Sequence, residues 1–83
     1  MKRKEMLKIA SELNRCLAYS DIEGSVEYEI HGDSAKVIFI HYDERYELDS
    51  KILFIYDWLD DEKTNQSVDK VKNVIAGEEL IND

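Results

Sequence analysis

Glycine is scarce in this chain: among 83 residues only Gly24, Gly32 and Gly77 are glycine, and each stands alone. A loop that cradles phosphates needs several clustered glycines whose N–H groups converge, so P-loop and dinucleotide-binding motifs are excluded. Cysteine is scarcer still. Cys16 has no partner for an internal disulfide, which points to a reducing, cytoplasmic compartment. Long apolar runs are missing too. The longest, Ile52-Leu53-Phe54-Ile55-Tyr56, is far short of a membrane span. Glu5, Lys8, Glu12 and Asn14 interrupt the apolar stretch that a secretory signal would need after the basic start.

Positive charge is the next shortage. Eleven Lys and Arg face nineteen Asp and Glu, a net of −8. The imbalance is uneven: residues 1–20 hold five basic and two acidic side chains, and residues 21–83 hold six basic and seventeen acidic ones. The body therefore stands at −11, a field that repels DNA and RNA, so direct nucleic-acid binding is not expected.

Catalytic groups are few. Cys16 with His31 or His41 would be the sharpest nucleophile–base pair, but Cys16 lies on an apolar stripe, where a thiol is an inert small hydrophobe. The acidic group Asp57, Asp60, Asp61 and Glu62 has oxygen ligands for a divalent cation, and its aspartates would share one helical face. It lacks a calcium-loop pattern and any nearby His or Cys. The chain is read as a non-enzyme with no cofactor and no metal.

What is present is the pattern of one small globular domain, residues 1–83, with 43% hydrophobic residues. Met6, Ile9, Ala10, Leu13, Cys16 and Leu17 recur at three- and four-residue spacing and predict a helix over 2–19. Val26, Tyr28 and Ile30 alternate with Glu27, Glu29 and His31, predicting a half-buried strand. Gly32-Asp33 is a two-residue hairpin signal. Pairing across it sets Ile30 opposite Ala35, Tyr28 opposite Val37 and Val26 opposite Phe39, with Glu29 beside Lys36 on the other face. The second strand, 35–42, is apolar on both faces, as central strands are.

Residues 45–48 supply a third strand in this reading. Asp49-Ser50 then resembles an N-cap for a helix over 51–62, since Ile52, Ile55, Tyr56 and Leu59 follow helical spacing; β-propensity alone would make 52–56 a strand. Residues 64–66 form a loop, Ser67 caps a last helix with Val68, Val71, Val74 and Ile75 inward, and Gly77 stops it. The tail after Gly77 is loose, with Leu80 and Ile81 able to dock back. The fold class is α+β: helix, antiparallel hairpin with a third strand, then two helices.

Two functional classes follow. In the first, an acidic face centred on Glu27, Glu29, Asp43, Glu44, Tyr46 and Glu47 binds a basic protein, because carboxylates attract basic grooves and tyrosine is enriched at interface centres. In size and composition, though in no motif, the chain resembles small acidic phage or mobile-element proteins that imitate DNA; such a protein would inhibit a nucleic-acid-binding partner. In the second class, surplus apolar residues, Ile38, Ile40, Tyr42 and Trp58, are covered either by the last helix or by a second copy, the latter giving a homodimeric structural or adapter module.

Overall fold

The computed structural model describes residues 3–82. Its elements are α1 Arg3–Ala18, β1 Glu23–His31, β2 Ser34–Tyr42, β3 Ser50–Tyr56 and α2 Asp61–Ile75. The strands form one antiparallel sheet in the order β1-β2-β3.

Helix α1 buries Met6, Ala10 and Leu13, the stripe its spacing predicts; residue 2 of the expected span lies outside the described residues. The Ser20 hydroxyl and N–H both donate to the Leu17 carbonyl, at 2.7 and 3.1 Å, and close the last turn. Asn14 spans from α1 to the sheet, its Nδ2 donating to the Val26 carbonyl at 3.2 Å. The hairpin register is the predicted one throughout: Ile30 faces Ala35, Tyr28 faces Val37, Val26 faces Phe39, and Glu29 pairs with Lys36 at 3.1 Å. Gly32 sits at φ 60°, the left-handed conformation that such a tight turn needs. Near the other end of this ladder a Cβ on Gly24 would lie 2.5 Å from the Ile40 carbonyl oxygen, so the two backbones meet there closely enough to exclude a side chain.

The middle of the chain differs from expectation. Residues 45–48 are turn, not strand, and 50–56 is strand, not helix. Asp49 adopts φ 64° and so closes a turn where an N-cap would stand in the β region. The loop between β2 and β3 is folded on itself: Asp43 N–H donates to the Asp49 carbonyl at 3.0 Å, Tyr46 N–H to Asp43 at 3.1 Å, and Asp49 N–H to Tyr46 at 3.0 Å. That clasp delivers residue 50 opposite Tyr42, and the β-branched and aromatic run 52–56 pairs along β2.

Helix α2 also starts earlier than Ser67. The Asp60 carboxylate accepts from Lys63 N–H at 2.8 Å, and Asp61 and Glu62 follow in the first turn, where negative charge suits the helix dipole. Residues 64–66 are therefore helical, and Thr64 joins Val68, Val71, Val74 and Ile75 on the buried side. The Thr64 hydroxyl has no hydrogen-bond partner among the described residues. Gly77, at φ 80°, stops the helix as expected. The tail docks: Ile81 is buried, and Glu79 pairs with Lys70 and accepts from Asn73 at 2.9 Å.

Both helices pack on the same face of the sheet and on each other, with Lys72 paired to Glu12 at 2.8 Å across them. Met6, Leu13, Val37, Phe39, Ile55, Val71 and Val74 lie in the single core between the layers. The other face of the sheet is covered by no element among the described residues.

Candidate functional site

That uncovered face is the candidate site. Strand alternation determines what it shows. β2 sends Ala35, Val37, Phe39 and His41 inward and Lys36, Ile38, Ile40 and Tyr42 outward. Pairing then places Glu27 beside Ile38, Glu29 beside Lys36 and Glu23 beside Tyr42 on the β1 side. On the β3 side Ile52 lies beside Ile40, Phe54 beside Ile38 and Tyr56 beside Lys36. The face thus has an apolar centre, an acidic edge and an aromatic edge. Phe54 is 40% exposed, Ile52 46% and Tyr42 47%, a high degree for apolar side chains at the middle of a sheet.

The aromatic edge is ordered. The rings of Phe54 and Tyr56 stack 5.7 Å apart at 19°, and those of Tyr56 and Trp58 at 5.1 Å and 17°. Lys36 Nζ lies 5.4 Å from the Phe54 centroid while it pairs with Glu29. Beyond the hairpin end a depression of about 440 Å³ is bounded by Glu29, His31, Lys36, Tyr56, Asp57 and Trp58. The Asp57 carboxylate is held there by the Ala35 N–H at 2.8 Å.

Only part of the acidic set, Glu27 and Glu29, shares this face with the apolar set Ile38, Ile40 and Tyr42. Glu27 and Glu29 border Ile38, and Ile40 and Tyr42 continue the same row. Trp58 extends the row's aromatic edge through Tyr56. Asp43 and Glu44 lie off the sheet's other end, around a depression shared with Glu23, Tyr42, Arg45 and Asp49. Arg45 donates to both carboxylate oxygens of Asp43, at 2.9 and 2.7 Å, and these bonds hold the Asp43 carboxyl well below the usual carboxylate range. Glu47 is exposed in the 43–49 loop.

Tyr46 requires a correction: it is 8% exposed and belongs to the core, not to the acidic face. Its oxygen is 2.8 Å from His41 Nδ1 and accepts from the Ile81 N–H at 2.9 Å. The tyrosine hydroxyl serves both neighbours when its O–H donates to Nδ1 and His41 is neutral with its proton on Nε2, which lies 3.9 Å from the Asp43 carboxylate. Burial, the largest influence, lowers the His41 pKa and favours that neutral form; Asp43 opposes it and Arg45 adds to it. No hydrogen bond joins Cys16 to either histidine among the described residues. Asp57, Asp60 and Asp61 do not share a helical face, since Asp57 follows β3 and Asp60 caps α2.

The aromatic ladder and the Tyr46 clasp were missed in the sequence. The ladder had a signal, aromatics at 54, 56 and 58 with the period of a strand. Tyr46, among charged neighbours in a turn, had none. No helix among the described residues is long and apolar enough to cross a membrane. No protein-family model, curated protein or solved structure matches the chain.

Proposed function

We propose that the chain is a non-catalytic, cytoplasmic recognition module that holds a basic protein partner on its open sheet face. One observation carries the reading: both helices pack on the same side of the sheet, so Ile38, Ile40, Ile52 and Phe54 stay accessible beside Glu27 and Glu29. Accessible apolar surface with an acidic edge favours a partner that interleaves Arg or Lys with apolar side chains. Where the partner's basic surface is itself a nucleic-acid-binding one, Glu27 and Glu29 stand in for phosphates.

Self-association is disfavoured by the charges on the same face. A two-fold axis along β2 would stack β1 of one copy over β3 of the other, setting Glu27 and Glu29 against Phe54 and Tyr56. Lys36, already paired with Glu29, is the one cation β2 offers on this face. An axis across the strands would stack the glutamates of both copies on each other. Either leaves carboxylates poorly compensated on desolvation, and each copy carries −8.

Selection of random displayed peptides on the immobilised protein tests the reading. Peptides rich in Arg or Lys among apolar residues are expected, shifting the amides of Glu27, Ile38, Ile40 and Phe54 on binding. Association should slow as salt rises, since the Debye length falls from about 10 Å at about 0.1 M to about 3 Å at about 1 M. Glu27→Lys with Glu29→Lys should weaken binding at least about tenfold while changing stability by less than about 1 kcal/mol. Neutral or acidic peptides, or shifts confined to the helices, overturn it. A dimer in sedimentation that protects these amides establishes the homodimer instead.

A further inference from the structure

The sheet ends in two edges, and they are not alike. In an antiparallel ladder the backbone N–H and C=O of each residue face either the neighbouring strand or away from it, in alternation. On β3 that phase is fixed at both ends: Asp57 N–H donates to the Ala35 carbonyl at 3.2 Å, and Asp43 N–H to the Asp49 carbonyl at 3.0 Å. Lys51, Leu53 and Ile55 therefore bond to β2, while Ile52, Phe54 and Tyr56 direct their backbone groups outward. The Tyr56 carbonyl accepts from Leu59 N–H at 3.3 Å; no bond among the described residues occupies the outward groups of Ile52 and Phe54. On β1, by contrast, the Val26 carbonyl accepts from Asn14 of α1 at 3.2 Å, and Glu27 and Glu29 place charge along the strand. Proteins ordinarily guard a sheet edge with charge, proline or a covering element. Residues 52–56 contain no charge and no proline.

Beside this edge runs a depression of about 480 Å³. Leu53, on the inward face, and Ile52 and Phe54, on the outward face, line it together with Gln66, Ser67 and Lys70 of α2. Residues from both faces of one strand meet in a single depression only around that strand's edge. α2 thus walls a vacant strand position. We propose that an extended segment of the basic partner fills this position as a fourth, antiparallel strand bonded to Ile52 and Phe54. The partner's charge is taken from the recognition reading above, on which the inference rests; its extended conformation is argued from the edge alone.

Extended backbone is the occupant these groups specify, because their donors and acceptors recur at every second residue and another strand matches that repeat. Its side chains alternate in turn. Those beside Ile52 and Phe54 extend the apolar centre of the open face, which favours valine or isoleucine with basic residues among them. Those on the other side lie against Gln66 and Ser67, which favours small polar residues. Lys70 is paired with Glu79 and donates to Asn82 at 3.0 Å, so its charge is already compensated when a basic segment arrives. A second copy fits less well. It carries the same −8 and would bring its own α2 over the adjoining strand. Neighbouring strands lie about 4.8 Å apart, whereas packed helices need about 8–10 Å.

The probe is the peptide acetyl-Arg-Thr-Val-Thr-Val-Thr-Arg-amide, whose valines and arginines share one face. Bound antiparallel with that face beside Ile52 and Phe54, its valine N–H groups point at β3 and its threonine N–H groups at solvent. In the free protein the amides of Ile52 and Phe54 should exchange at least about tenfold faster than those of Leu53 and Ile55, and saturating peptide should remove the difference. N-methylation of both valines should weaken binding at least about tenfold, and N-methylation of two threonines less than about threefold. Ile52→Pro deletes an outward N–H and no bond of the ladder, so it should weaken the peptide while the sheet still forms. Equal binding of the two methylated peptides, or peptide-induced protection elsewhere, overturns the inference. So does slow exchange of Ile52 and Phe54 in the free protein, whether in the monomer or in a dimer seen by sedimentation. If displayed basic peptides shift Ile38 and Ile40 while valine methylation changes nothing, the added strand fails and the recognition reading stands. If the probe with glutamine in place of both arginines binds as tightly at the edge, the added strand stands and the basic partner is refuted.

Discussion

β2 has one composition and two fates. Its inward residues Val37 and Phe39 are fully buried under both helices, while Ile38 and Ile40 alternate with them and remain partly accessible. Hydrophobicity is nearly the same on the two sides, so composition does not decide which becomes core. The decision is made by the connections. α1 leads into β1 and α2 leaves β3, and each helix docks on the layer where the other gives it apolar surface, Val68 and Val71 sharing a core with Met6 and Leu13. Burial of one face makes the core; the second face of β2, nearly as apolar, stays partly accessible.

The sharpest way to break that equivalence is to truncate one residue from each side. Phe39→Ala should cost about 3–5 kcal/mol, the range for emptying a filled core site, and would consume much of the stability of a domain this small. Ile40→Ala, its neighbour, should cost about 1 kcal/mol or less, because its side chain is already partly hydrated. Urea unfolding of the two variants checks the difference. Equal losses would mean that the open face is as tightly covered as the core.

The next effect sits at the edge of the buried face. Tyr46→Phe removes one hydroxyl and orphans two buried groups, His41 Nδ1 and the Ile81 N–H, for a cost of about 1–3 kcal/mol. The same cluster gives the stability a pH dependence of defined sign. The folded state lowers the His41 pKa below its ordinary 6.5, so the folded protein binds the proton less readily than the unfolded chain. Stability is full above pH 6.5 and falls by about 1.4 kcal/mol per pH unit from there down to the folded-state pKa, below which this contribution levels. Asp43, held low by Arg45, acts further down: its contribution is lost as pH drops below about 3.8. Unfolding free energies at pH 7.5 and pH 5.5 should differ in the native chain and not in His41→Gln.

The smallest effect has the opposite sign. Thr64→Val replaces a buried hydroxyl that has no hydrogen-bond partner among the described residues by a methyl group of similar size on the same face of α2. It should raise stability by up to about 1 kcal/mol in the same urea measurement.

How much of this was legible in the sequence depended on whether local patterns agreed. In the hairpin they did: strict alternation, a glycine at the turn and matched pairs across it all specified one register. In 50–59 they conflicted. Ile52, Ile55, Tyr56 and Leu59 fit a helix, Phe54, Tyr56 and Trp58 fit a strand, and Asp49-Ser50 resembled a cap until its turn geometry was known. A free edge on β2 resolved the conflict, and that is a tertiary fact. Ser67 lost its role as a cap because Asp60 offered a better one a few residues earlier. The candidate site was legible in its parts, Glu27, Glu29, Ile38, Ile40 and Trp58, and not as a whole. Placing them together required knowing that both helices choose the same side. Tyr46 was assigned to the surface because its neighbours are charged, whereas its place is set by His41 and by Ile81, 35 residues downstream.

That last separation has a consequence for how the protein is made. The hairpin and the helix α1 that packs on it are complete by Tyr42, so they can assemble while the rest of the chain is still being translated. The core is sealed by Ile81, whose N–H occupies the Tyr46 hydroxyl, so closure waits until residue 81 has cleared the ribosome. Until then the β2–β3 loop is held without its final partner, and the nascent domain exposes the apolar floor on which the tail will sit. A chain stalled before residue 81 would leave the Tyr46 hydroxyl without the Ile81 N–H and the place of the Ile81 side chain in the core unfilled.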